Sequence, residues 1–366
     1  MIRDRLKASM SPTRVFEPIL AAGIPGFRRK RASAVPEPQQ AMRMRPPFAF
    51  TLLEMLVGMV VLGLLMMLLL SAVELSSRVF RSLNQKVDAF QDARFAFDLL
   101  TRNLSQATLN TFWRQDDPEN PSRFMRESDL HFLVQPAGDR GLVPGSPGAG
   151  QAIFFQAPLG TTSQPESFGG LSSALNSLGY FVDFRAVPQP GITSSPAPFR
   201  YQLVQFKSPT EEMRAFSTRE SGGMDWIDPT EHAKSIFPVA ANVIALVLWP
   251  RRADGDPTTA PLTSDFRYDS RANATANPQP LTAHQLPPVV EVVMVAMDEE
   301  SAERLTSGSR PPDAVRNALQ GRFLSSAPDR IEADLVELEK ALSAEGIRYR
   351  VFRTAVPLRE SKWSES

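Results

Sequence analysis

The chain has 366 residues, 42% of them apolar, which is enough to build a real core and argues against wholesale disorder. It carries 40 basic and 40 acidic side chains and no cysteine. Disulfide frameworks, thiolate zinc sites and redox pairs are therefore excluded. The charge is unevenly placed: residues 1–49 hold ten Lys/Arg against three Asp/Glu, a net of +7, so residues 50–366 carry −7. An acidic remainder gives no electrostatic footprint for nucleic acid, and no nucleic-acid partner is expected. The 32 prolines point to a loop-rich domain rather than a compact helical bundle.

Residues 1–49 are rich in Arg, Pro, Ala and Ser without a sustained period and read as a disordered basic leader or cytoplasmic extension. Arg28-Arg29-Lys30-Arg31 is a solvated basic tract; no apolar run follows it as a twin-arginine signal requires. Met42 and Met44 offer alternative starts, and translation from Met42 leaves the short leader Met-Arg-Met-Arg-Pro-Pro-Phe-Ala.

From Phe48 to Asp117 there is no proline, and Met55–Val73 is uncharged. Nineteen such residues approach the ~20 that span a bilayer as a helix, so residues 50–74 are expected to be transmembrane. The pattern then turns amphipathic over 75–110. Phe80, Leu83, Val87, Phe90, Phe97, Leu100 and Leu104 recur on one helical face, with Arg78, Arg81, Lys86, Asp88, Asp92 and Arg94 opposite. The simplest expectation is one helix of about 55–60 residues, roughly 80–90 Å long. Basic residues before the span place the N-terminus in the cytoplasm and the rest outside.

After Pro118 the period shortens. Strands are expected at Leu130–Gln135, Ala152–Gln156, Tyr180–Arg185, Tyr201–Phe206, Val243–Trp249, Val289–Met297 and Tyr349–Val356, with loops at 136–150, 160–170, 186–198 and 253–288. A further helix is signalled by a cap at Ser326–Asp329, the stripe Ile331, Leu335, Leu338, Leu342, and Gly346 as its C′ glycine. Residues 111–366 thus read as an extracytoplasmic head. The expected fold class is α+β: a long N-terminal helix, transmembrane in its first half and amphipathic in its second, packed on a globular domain with antiparallel β-sheet.

The segment Phe48-Ala49-Phe50-Thr51-Leu52-Leu53-Glu54 is chemically odd for a plain anchor. A charge at the bilayer centre costs ~2.5–3.5 kcal/mol, so an intramembrane Glu54 asks for a partner. Two ordinary readings stay open. Thr51-Leu52-Leu53-Glu54 is also a capping box, which would cap a simple anchor helix. A cleaved secretory signal also places an apolar run after arginines, although this run is longer and its helical pattern continues.

Phe50-Thr51-Leu52-Leu53-Glu54 with its apolar tail resembles the N-terminal signal of type IV pilins and type II secretion pseudopilins, usually Gly followed by Phe-Thr-Leu-x-Glu. Ala49 stands where Gly is usual. The resemblance implies cleavage by prepilin peptidase between Ala49 and Phe50, methylation of the new amine, and assembly through Glu54, flanked by Thr51 and Leu52. In that family the Glu pairs with the N-terminal amine of a neighbouring subunit. The implied partners are prepilin peptidase, other pilin-like subunits of a membrane-anchored filament, and the bacterial inner membrane, with the head in the periplasm. Phe97–Asn110, Asn242–Leu246 and the arginines Arg348, Arg350 and Arg353 are similar to J-type minor pseudopilins and to the Verru/Chthon cassette protein C family. The implied function is a non-enzymatic minor pseudopilin; the alternative is a single-pass anchored binding module that forms no filament.

Other chemistry is weakly signalled. Residues 138–150 have glycines but no Gly-Lys-Ser/Thr phosphate loop, and no nucleophile elbow is present. His131, His232 and His284 lack ligand spacing. Asp254-Gly255-Asp256 and Asp298-Glu299-Glu300 read as a solvated turn and a helix start rather than calcium loops. Trp113, Trp226, Trp249, Trp363, Tyr180, Tyr201 and Tyr349 read first as core, with a binding face as the alternative. No cofactor is implied.

Overall fold

The computed structural model describes residues 51–88, 90–137, 150–187, 197–216, 225–227, 235–253, 262–263, 265–305, 308–323 and 330–362, with the backbone alone at 74–88 and 225. The chain divides into two compact units, one ending at Leu69 and the other beginning at Leu70. Helix α1, Leu52–Asp88, starts in the first. Its part from Leu52 to Val73 has a mean hydropathy of 2.7 and is long and apolar enough to cross a membrane. None of these side chains is buried, as a helix solvated by lipid requires.

Helix α2, Gln91–Leu104, opens the second unit's core. The single continuous helix expected from the sequence is therefore two helices. Phe90 leaves helical geometry (φ −128°, ψ 12°) while its carbonyl accepts the Arg94 N–H at 2.9 Å. Asp92 then lies in the first turn of α2, where the helix dipole favours an acid. Phe90 packs against the core beside the buried stripe Ala93, Ala96, Phe97, Leu100 and Leu104. Packing of this aromatic, which helical periodicity cannot register, accompanies the break.

Eleven strands are found among the described residues: β1 Phe112–Gln115, β2 Phe124–Glu127, β3 Leu133–Pro136, β4 Gln151–Pro158, β5 Leu175–Ala186, β6 Phe199–Ser208, β7 Ile236–Ala241, β8 Val243–Arg251, β9 Tyr268–Asp269, β10 Val289–Met297 and β11 Tyr349–Pro357. They form a six-stranded sheet in the order β7-β6-β5-β4-β3-β9, a three-stranded sheet β11-β10-β8, and the separate hairpin β1-β2. The paired strands are antiparallel throughout. The fold class is α+β, as expected.

Asn242 carries the chain from one sheet to the other. It adopts φ 62°, a left-handed conformation that Asn tolerates better than most residues. Its N–H donates to the Tyr201 carbonyl at 2.6 Å and its carbonyl accepts the Met297 N–H at 2.9 Å, so it bonds to both sheets. An isolated parallel bridge between Gly150 and Leu246 joins them a second time. One apolar cluster consequently runs through both sheets and α2.

The remaining α-helices among the described residues are α3 Pro165–Phe168, α4 Glu299–Leu305, α5 Asp313–Leu319 and α6 Ile331–Ala344. Helix α6 buries Ile331, Leu335, Leu338 and Leu342 as its stripe predicts. Gly346 (φ 64°) donates to Ser343 at 3.0 Å and Ile347 to Leu342 at 2.9 Å, which completes a Schellman end. The Ser326–Asp329 cap lies outside the described residues.

The stretch 253–288, expected to be a loop, is a packed segment where it is described. It contributes β9 and buries Phe266, Tyr268, Ala283 and Leu286. Loop 160–170 contains α3. Loops 138–149 and 188–196 lie outside the described residues.

Candidate processing and assembly segment

Helix α1 is nucleated at Thr51. The Thr51 hydroxyl oxygen accepts the Glu54 N–H at 3.2 Å, and its carbonyl accepts the N–H groups of Glu54 (3.0 Å) and Met55 (3.2 Å). These bonds satisfy donors that a helix N-terminus otherwise leaves open. Leu52 and Leu53 complete the first turn, and Glu54 sits at its end near the positive end of the dipole.

The Glu54 backbone is thus satisfied, whereas its carboxylate has no partner among the described residues. Around and beyond it the apolar surface is exposed on every side of the helix: Leu52, Met55, Leu56, Met59, Leu62, Leu65, Met66 and Leu69 all lie open. A Cβ at Gly58 or Gly63 would meet nothing within 4 Å. Among the described residues, nothing requires glycine there. Ala49 and Phe50 lie outside the described residues, as do Met42, Met44 and the basic tract.

Most of the other candidates that lie among the described residues take structural roles. Among the described residues no group of three or more His, Asp or Glu could hold a metal ion. Asp298 caps α4, its carboxylate accepting the Ser301 N–H at 3.0 Å, and Arg348 pairs with Asp298 and Glu300. Glu299 meets Arg200 and Asn242. His131 is buried between Asp269 (2.8 Å) and the indole N–H of Trp226 (3.3 Å). The indole can only donate, so His131 Nδ1 is the acceptor and Nε2 faces the Asp269 carboxylate. His284 is buried; His232 and Asp254–Asp256 lie outside the described residues.

Trp226, Tyr180 and Tyr201 belong to the core, and Trp249 and Tyr349 are partly buried. Trp113 is the exception, standing 55% exposed on the hairpin β1–β2. Trp363 lies outside the described residues. The sequence reading left out this hairpin. Its signal was present in the turn-forming run Asp116-Asp117-Pro118-Glu119-Asn120-Pro121-Ser122 between two aromatic-bearing runs.

Comparison with known families falls on the N-terminal segment. A prokaryotic N-terminal methylation motif matches residues 44–70. The match covers Ala49, Phe50 and Glu54 and ends within the apolar part of α1. It supports a type IV pilin-like relationship and fits a precursor processed by prepilin peptidase, a structural context rather than an enzymatic one. Together with the apolar helix it supports membrane anchoring. No curated protein and no solved structure matches the chain.

Proposed function

We propose that this chain is a minor pseudopilin, a structural subunit of a type II secretion or type IV pilus-like assembly. Prepilin peptidase cuts between Ala49 and Phe50, α1 holds the protein in the bacterial inner membrane with its leader cytoplasmic, and the head lies in the periplasm. The observation that carries the reading is the methylation motif over 44–70, set on a helix whose Glu54 carboxylate has no partner among the described residues.

The physical logic is register. A free ammonium on Phe50 of one subunit neutralises Glu54 of the next, and a neighbour in the wrong register leaves a charge unpaired in lipid. Such pairs add little net stability but can discriminate strongly between arrangements. Gly58 and Gly63 let a neighbouring helix approach closely, because neither carries a side chain.

Glu54→Ala tests this directly. Processing and membrane insertion persist, while recovery in the sheared-filament fraction falls at least about tenfold, the equivalent of ~1.4 kcal/mol. Glu54→Asp retains part of the assembly. Recovery of Glu54→Ala at the wild-type level refutes the role of Glu54.

A further inference from the structure

The hairpin β1–β2 stands apart from both larger sheets, yet it is held firmly. Asp116 organises its turn: its carboxylate accepts the N–H groups of Asp117 (2.9 Å), Ser122 (2.9 Å) and Arg123 (3.1 Å) and the Ser122 hydroxyl. At its base, Arg123 donates to the carbonyls of Ala276 (2.9 Å) and Thr275 (3.0 Å), and Arg126 to those of Pro280 (2.7 Å) and Ala283 (3.2 Å).

The two edges of this small sheet differ. In an antiparallel pair, residues alternate between bonding inward to the partner strand and presenting N–H and C=O outward. Arg126 presents outward and is closed by one side chain. The Gln279 amide accepts the Arg126 N–H at 2.9 Å and donates to its carbonyl at 2.8 Å, as a neighbouring strand would. Trp113 lies opposite Arg126 and Gln115 opposite Phe124, so both turn their backbone groups to the other edge. No further strand lies there among the described residues, and every residue of β1 is exposed. Trp113 (55% exposed) and Phe124 (67%) share one face beside this open edge.

Charge narrows the occupant. Arg114 is paired with Glu127, Arg123 with Asp116, and Arg126 is spent on carbonyls. The exposed carboxylates of Asp117 and Glu119 on the connecting turn have no basic partner among the described residues.

We propose that β1 is a docking edge for an extended, basic segment of another polypeptide. The segment pairs its backbone with Trp113 and Gln115, lays an apolar side chain on Trp113 and Phe124, and sets a Lys or Arg toward Asp117 and Glu119. Strand addition of this kind draws affinity from main-chain bonds and specificity from alternate side chains. The site lies wholly in the head and stands independently of how the N-terminus is processed.

The test uses the full chain in detergent micelles and a labelled seven-residue Thr/Ile peptide flanked by lysines. The expected result is saturable binding with amide exchange at Trp113 and Gln115 slowed at least about tenfold, a local gain of ~1.4 kcal/mol. N-methylation at every other peptide residue, replacement of its lysines by glutamate, or Gln115→Pro each weakens binding by about tenfold or more, whereas Gln115→Ala binds normally. Equal binding of the N-methylated peptide, unchanged exchange at Trp113 and Gln115, or occupation of the edge by a second copy of the chain overturns the proposal.

Discussion

The side-chain amide of Asn103, on α2, donates to the hydroxyl of Tyr180, on β5, at 2.7 Å, and both residues are buried. Gln205 on β6 donates to the same oxygen at 2.5 Å. One phenol thereby ties the helix to two neighbouring strands of the six-stranded sheet. Burial of its ring pushes the Tyr180 pKa up to about 12, with the two amide donors opposing the shift.

Tyr180→Phe leaves two buried amides without an acceptor and is expected to destabilise the head by about 2–4 kcal/mol, against about 1 kcal/mol for Asn103→Leu. Denaturant midpoints check the ranking. The pH dependence has a fixed sign. The unfolded tyrosine titrates near ~10, so stability is intact below that pH and declines as pH rises through about 12. Burial raises Tyr201 and Tyr268 too, which steepens the alkaline loss. Tyr180→Phe should flatten it.

Gly150 supports the junction of the two sheets. Its φ of 99° is one that side chains resist, and an added Cβ would lie 2.0 Å from the Leu246 carbonyl oxygen. Gly150→Ala therefore combines backbone strain with overpacking and is expected to cost about 2–5 kcal/mol. Thermal unfolding of the variant checks this, and a loss under about 1 kcal/mol would remove the bridge from the account.

Gly58 supplies the opposite case. Gly58→Ala has open space in the lone chain and gains up to ~1 kcal/mol of helix propensity. Gly58→Leu is equally harmless to membrane insertion, but it is expected to lower recovery in filaments, where neighbouring helices approach. Comparing insertion with filament recovery separates the two effects.

The sequence was most legible where one periodicity governs a whole element. Val289–Met297 matches its strand at both ends, and the stripe Ile331 to Leu342 with Gly346 describes α6 and its Schellman end. It was least legible where distant side chains decide. Phe90 leaves the helix as it packs on a core assembled from strands far along the chain. The packed course of 265–288 depends on Arg123, Arg126 and Gln279 bonding across about 150 residues, which proline and glycine content cannot reveal. In the N-terminal segment, the motif was readable because Phe50 to Glu54 carries its chemistry in five consecutive residues. The Thr51 cap was readable for the same reason, and the geometry shows that it serves the backbone of Glu54, whose carboxylate has no partner among the described residues.

The mass of the mature N-terminal peptide, recovered from the membrane fraction of cells with an active prepilin peptidase, decides between a pseudopilin and an ordinary anchored domain. A chain beginning at Phe50 with a methylated amine is the expected result. A chain that keeps its leader through Ala49 under those conditions contradicts the pseudopilin reading and leaves an ordinary anchored domain.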